Sequence, residues 1–211
     1  MHGGANIILK GFETFKHNKE ICIIASDVLL RFMEGNIEGA KQFSRCGITK
    51  SLVSVLSANK SDPECCKSII APLCYAISVD STNENSKRAL DAGALDILMN
   101  IAVNGTDDIQ IGKACSTISE LLHTKGIGRV FAKKGFVPPI IEVYRKRSGN
   151  KYIAGYFSEI MSSLALEPDL HRVLRENDAV QILDEILRNY KTNRHVAKPA
   201  TEALKRLAGR Y

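Results

Sequence analysis

Tryptophan is absent from the chain, which rules out a binding surface built on indole rings. No apolar run approaches the roughly 20 residues that a membrane helix needs. The longest, "IIAPLCYAI" at 69–77, is broken by Pro72. None of the six cysteines (Cys22, Cys46, Cys65, Cys66, Cys74, Cys115) stands in a C-x-x-C pair, and all lie among apolar residues. They read as reduced core thiols, so neither zinc nor a disulfide framework is expected.

Catalytic signatures are missing as well. "TKGIGRVF" has Gly126 and Gly128 but neither a third glycine at the right spacing nor a preceding strand, so it does not make a dinucleotide loop. There is no phosphate-binding P-loop, H-E-x-x-H or G-x-S-x-G sequence. The five histidines (His2, His17, His123, His171, His195) are scattered mostly among polar neighbours and read as exposed structural residues. The expectation is a protein without enzymatic activity, cofactor, metal or small-molecule substrate.

What the chain does contain is ordinary for a folded protein: 211 residues, 45% hydrophobic and 25% charged. The start "MHGGANIILKGFETFK" has no basic leader ahead of a long apolar core and no Met-Gly opening. A cytoplasmic address is expected, with a nuclear or membrane-peripheral one as the alternative. The net charge of +6 is uneven: residues 1–122 carry 12 Lys/Arg against 14 Asp/Glu, and residues 123–211 carry 17 against 9. An anionic partner would be drawn to the second part.

The organising feature is an internal repeat. Gly4, Gly47, Gly93, Gly135 and Asp178 follow one another at intervals of 43, 46, 42 and 43 residues. One place after each stand Ala5, Ile48, Ala94, Phe136 and Ala179; five places after, Leu9, Leu52, Leu98, Ile140 and Leu183; eight places after, Phe12, Val55, Ile101, Val143 and Ile186. All are apolar, and steps of four and three mark one buried helical stripe. A polar turn and a longer apolar helix follow each stripe, with helix starts at Asp62 before Pro63 and at Thr106 before Asp107 and Asp108. A short amphipathic helix precedes each anchor except the first, and Ser81 with Glu84 reads as a capping box opening one of them. Gly93, in "ALDAGALDILMNIAV", is then the corner between a short and a medium helix, where a residue without Cβ reaches torsions that others resist. Asp178 fills the same place beside Asn177, both tolerant of left-handed torsions.

A three-helix unit of about 42 residues, with "RALDAGALDILMNIAV" and "SSLALEPD" as its best examples, resembles the armadillo repeat. The resemblance implies an all-α, right-handed α-solenoid of about four and a half units forming a single domain over 1–211: a partial unit 1–36, then 37–80, 81–124, 125–166 and 167–211. Starting at a corner, the chain reads as part of a longer array or as opening on a degenerate cap. Armadillo proteins line a concave groove with their third helices, and the best known of them bind extended peptides through a tryptophan and an asparagine four residues apart. Here the matching pairs are Asp27 and Arg31, Pro72 and Ala76, Ser116 and Glu120, Glu159 and Ser163, and Glu202 and Arg206, none of which fits that ladder. A mixed-charge groove is expected instead, with Asp27, Arg31, Ser116, Glu120, Glu159, Ser163, Glu202 and Arg206 meeting a protein partner as an extended peptide or helix. Tyr75, Tyr156 and Phe157, also on third helices, read as core.

Two basic loops give a second reading. "YRKRSGNKY" at 144–152 and "RNYKTNRHVAK" at 188–198 supply Arg145, Lys146, Arg147, Lys151, Lys191 and Arg194, which would form an edge attractive to an anionic membrane, a phosphoinositide or, as the weakest candidate, nucleic acid.

Overall fold

The computed structural model describes residues 3–209 of the chain; His2 lies outside them. Every regular element among the described residues is helical. The helices run α1 (Gly3–Thr14), α2 (Lys19–Glu34), α3 (Ile37–Arg45), α4 (Ile48–Ala58), α5 (Pro63–Ser78), α6 (Glu84–Asp91), α7 (Ala94–Asn104) and α8 (Asp108–Leu122). They continue with α9 (Ile127–Lys133), α10 (Val137–Arg145), α11 (Lys151–Leu164), a 3-10 turn at Pro168–Leu170, α12 (His171–Glu176), α13 (Ala179–Tyr190) and α14 (Arg194–Leu207). From α3 onward a short helix is followed by a medium and then a long one. Contacts divide the chain into two compact units, residues 1–120 and 121–211.

The stripe read from the sequence is the core. Of its members, Phe136 alone is half-buried, and its ring meets Phe131 edge-on at 5.5 Å between centroids. The others are buried, several of them completely, including Ile48, Leu52, Val55, Leu98 and Leu183. In the first unit α4 and α2 both pack on α5; in the second, α13 and α11 both pack on α14.

The corners are conformational. Gly47, Gly93 and Gly135 have φ of 85°, 84° and 72°, and Asp178 takes the same left-handed turn at 62°. A Cβ built on Gly93 would meet nothing within 4 Å, so torsion rather than crowding selects glycine. Asp178 accepts the strained torsion and gives its carboxylate to Arg145 at 2.9 Å. Gly4 departs from the expected pattern, since it lies inside α1. Left-handed residues also open two of the short helices, Asn83 at α6 and Gly126 at α9.

Two expected helix starts are corrected. The opening of α6 is held not by a Ser81–Glu84 box but by Asp80, which accepts from the backbone N–H of Thr82 at 3.0 Å and of Asn85 at 2.6 Å. Its carboxyl sits below the ordinary range: burial works against the charge, and these hydrogen bonds outweigh burial. At α8 the cap is Asp107, one residue beyond Thr106, accepting from the Gln110 N–H at 2.8 Å.

Candidate functional site

Each of the long helices is opened by an Asn or Asp. Asn18 accepts from the Ile21 N–H (3.1 Å), Asp62 from Cys65 (2.9 Å), Asp107 from Gln110 (2.8 Å), Asn150 from Tyr152 (3.0 Å) and Asn193 from His195 (3.2 Å). A cap fixes the first turn, and with it the direction of every later side chain. Aligned on these caps, Asp27 and Arg31 of α2 correspond to Ala71 and Tyr75 of α5 and to Ser116 and Glu120 of α8. The equivalence expected for α5 therefore shifts by one residue. Pro72 and Ala76 are buried, whereas Ala71 and Tyr75 are half-buried.

In the first unit this row belongs to a mixed-charge surface held by contacts between neighbouring helices. The Lys113 ammonium of α8 donates to the Lys67 carbonyl of α5 at 2.8 Å. That carbonyl lies one residue before Ser68, whose own carbonyl cannot receive a helical N–H because Pro72 has none. Lys67 pairs with Glu64 at 2.5 Å and with Asp107 at 3.6 Å. The hydrogen bond that Lys67 donates to Glu64 holds its pKa above the usual lysine value. Burial pushes the Lys113 pKa down, Asp27 pulls it back up, and Lys67 adds to the depression. The Tyr75 hydroxyl donates to the Met33 carbonyl of α2 at 3.2 Å, and the Cys74 thiol lies 3.9 Å from the Ser116 hydroxyl. Asp27 and Arg31 are exposed, and Ser116 and Glu120 are half-buried. A cleft of about 330 Å³ adjoins, between α3, the end of α5 and the start of α6, bordered by Ile37, Tyr75, Val79 and Arg88.

The second unit uses its residues differently. Arg206 donates to the carbonyl of Ser162 at 2.9 Å and to its hydroxyl at 2.5 Å, bracing α14 against α11. Glu202 stands beside Arg206 at 3.8 Å and Lys198 at 4.0 Å. Ser163, expected in the groove, is only 6% exposed. Glu159 is half-buried. Phe157 is core, stacked on Tyr144 at 4.7 Å. Among the described residues of this unit the exposed aromatic is Tyr152, at 64%, with the Lys151 ammonium 5.0 Å from its ring centroid.

The basic loops meet within that unit, where the Tyr190 hydroxyl donates to the Ser148 carbonyl at 2.9 Å. Arg145 is engaged by Glu142 at 2.7 Å and by Asp178. Lys146, Lys191 and Arg194 are exposed, and Arg147 is half-buried.

Lys67, Lys113 and Tyr152 were not among the sequence candidates. The Asx caps are the signal that finds the two lysines, because they supply a helix register independent of the variable turn before it. Among the described residues no three His, Cys, Asp or Glu side chains gather as a metal site would require, and no helix is long and apolar enough to cross a membrane.

No family model matches the chain, and no curated protein matches it. Solved structures do. A crystal structure of an engineered protein, a Northeast Structural Genomics Consortium target, is similar with a TM-score of 0.82 at 19% identity, covering 98% of this chain and 80% of that one. A second engineered protein from the same consortium is similar with a TM-score of 0.81 at 18% identity, covering 98% of this chain and 82% of the other. The likeness is one of fold: the chain is an all-helical protein of the architecture that these engineered proteins share.

Proposed function

We propose that the chain is a non-enzymatic interaction scaffold, an armadillo-like right-handed solenoid of about four and a half units. On this reading it holds an extended or helical segment of a protein partner against its third helices, in the cytoplasm, without cofactor or small-molecule substrate. The observation that carries the reading is the surface of α2, α5 and α8, where charged side chains of both signs are fixed in place yet reach solvent. Lys113, Lys67 and Tyr75 are each held by a neighbouring helix. Side chains already ordered lose little entropy when a partner arrives. A segment with alternating charges suits the surface, a carboxylate facing Lys113 and a cation facing Asp27 or Glu64.

The test is selection of a random-peptide display library on the intact protein. Peptides should be enriched, and their affinity should fall roughly tenfold, about 1.4 kcal/mol, on Lys113→Glu at an unchanged melting temperature. No enrichment, or equal binding to both proteins, would contradict the reading.

A second reading, docking to an anionic membrane surface, is favoured by the Tyr190–Ser148 bond that joins two basic loops in a segment, 121–211, with 17 Lys/Arg against 9 Asp/Glu. Flotation with acidic liposomes checks it. Binding at low salt that is lost on Lys146→Glu with Lys191→Glu supports it, and absence of binding removes it.

A further inference from the structure

In each unit a short helix runs past the end of a long one, and the two junctions are finished differently. Arg129 of α9 closes the junction in the second unit: it pairs with Glu167, just beyond α11, at 2.7 Å and with Asp169 at 2.9 Å. Glu167 also accepts from the Gly126 N–H at 3.3 Å. Counted from the corners Gly47 and Gly135, the place of Arg129 belongs in the first unit to Lys41 of α3. Counted from the caps Asp62 and Asn150, the place of Glu167 belongs to Val79. Lys41 therefore has no carboxylate at that place across the gap; among the described residues its ion-pair partner is Glu38 of its own helix, at 3.8 Å.

The unbridged junction is the cleft of about 330 Å³ between α3, the end of α5 and the start of α6. Its lining combines apolar surface with loosely held cations. Ile37 is 70% and Val79 46% exposed, and with buried Ala40 and half-buried Tyr75 they make an apolar trough. Around it stand Lys41, Arg45 and Arg88. Arg45 meets Glu38 at 3.5 Å, a contact between exposed side chains that holds it weakly. Arg88 donates one nitrogen to the Ser44 carbonyl at 2.7 Å and remains exposed. The carboxylates of the lining are engaged elsewhere: Asp80 holds the start of α6, and Glu84 pairs with Lys87 at 3.1 Å.

The walls are fixed before anything binds. Buried Asn85 of α6 donates to the Ser44 hydroxyl of α3 at 2.9 Å and to the Ala76 carbonyl of α5 at 2.7 Å, which ties the three helices together. Tyr75 is held by its bond to the Met33 carbonyl. A cleft this exposed, at the small end of ligand-pocket sizes, does not enclose most of a small molecule's surface, as tight binding of such a molecule requires. It suits one or two side chains of a segment that is anchored elsewhere too. Tyr75 supplies the continuity, because it belongs both to the cleft and to the mixed-charge surface of α2, α5 and α8.

We propose that the cleft between α3 and α6 is the anchor pocket for the partner segment held on α2, α5 and α8, and that it takes a large apolar side chain flanked by an Asp or Glu. The proposal rests on the scaffold reading above. Burial of the apolar side chain against Ile37, Ala40, Val79 and the Tyr75 ring drives insertion. The flanking carboxylate is read by Arg88, whose fork of N–H donors suits two carboxylate oxygens, with Lys41 and Arg45 beside it. A basic segment is rejected, because the three cations around the trough repel it.

Peptides selected from the random-peptide display library on the intact protein, and then measured on two variants, test the proposal. The double variant Lys41→Arg with Val79→Glu, both at exposed sites, copies into the first unit the bridge that Arg129 makes with Glu167 and so closes the cleft. Arg88→Glu, also at an exposed site, removes the carboxylate reader. Melting temperatures within about 2 °C of wild type show that each variant folds. The selected peptides should share a large apolar residue next to Asp or Glu and should bind each variant roughly tenfold more weakly. Alanine at the apolar residue should cost a similar factor on the wild type and nothing further on the closed double variant. Peptides without the apolar and acidic pair, or equal binding to the wild type and both variants, would overturn the proposal. If such peptides still lose affinity on Lys113→Glu, the scaffold reading stands without this pocket; if no peptide is enriched, both fall.

Discussion

Helices α2 and α5 have the same length and the same kind of cap, yet one residue pattern is core in α5 and surface in α2. Ile69 is inaccessible; Val28, on the equivalent face, is more than half exposed. Periodicity in a sequence tells which residues share a face. It does not tell whether a neighbour covers that face, because cover depends on another helix.

The largest test of the comparison is a pair of truncations. Ile69→Ala should destabilise by about 3 kcal/mol, the cost of lost apolar transfer plus a cavity. Val28→Ala should change stability by less than about 0.5 kcal/mol in dilute solution. Chemical denaturation measures both, and similar values would erase the distinction between the faces.

The corners come next. Gly93→Ala should cost about 1–2 kcal/mol, since a Cβ at φ 84° is strained although nothing crowds it. Asp178→Gly should cost less than the Gly93 change and can stabilise, because relief of the same torsion offsets loss of the exposed Arg145 pair. Thermal denaturation of the two variants compares them.

The caps sharpen the α2–α5 contrast further. Asn18→Ala and Asp62→Ala should each cost about 1 kcal/mol at neutral pH. The backbone hydrogen bond from Cys65, aided by Lys19, holds the Asp62 carboxyl below its ordinary value. Its contribution is therefore complete above the ordinary carboxylate range and is lost as the pH falls through the folded value. The Asn18 cap has no such dependence, so the gap between Asp62→Ala and wild type should narrow in acid while that for Asn18→Ala stays constant. A gap for Asp62→Ala that is flat with pH would contradict the assignment.

The smallest effect concerns Lys113. Burial lowers its folded pKa below the unfolded value, so its charge works against folding at neutral pH, an effect that disappears as the pH rises past the ordinary lysine range. Lys113→Met should leave the melting temperature unchanged or slightly raised, while weakening any selected peptide. A clear loss of stability would reassign Lys113 to a structural role.

Much of the fold was legible in the sequence because helix corners and apolar stripes are local signals. Leu52, Leu98 and Leu183 had to be core, and Gly47, Gly93 and Gly135 had to turn. Asn83 and Gly126 escaped notice as corners because they lie before short helices with little periodicity. The surface was less legible. Counting from the glycine corner put Pro72 in the groove, whereas the turn between second and third helices varies by a residue and the Asx cap is the better origin. Ser163 and Arg206 were drawn as groove residues because their spacing is right. Which side of a helix its neighbours cover is decided by packing: Ser163 is only 6% exposed, and Arg206 spends its guanidinium on Ser162 of α11.

The measurement that bears most directly on the shared register is a thiol-labelling comparison of Val28→Cys with Pro72→Cys in dilute native protein, read by peptide mass mapping. The account predicts that Cys at 28 is alkylated at nearly the rate of a free peptide, and that Cys at 72 is modified only when the protein unfolds. Comparable native rates at the two positions would contradict it.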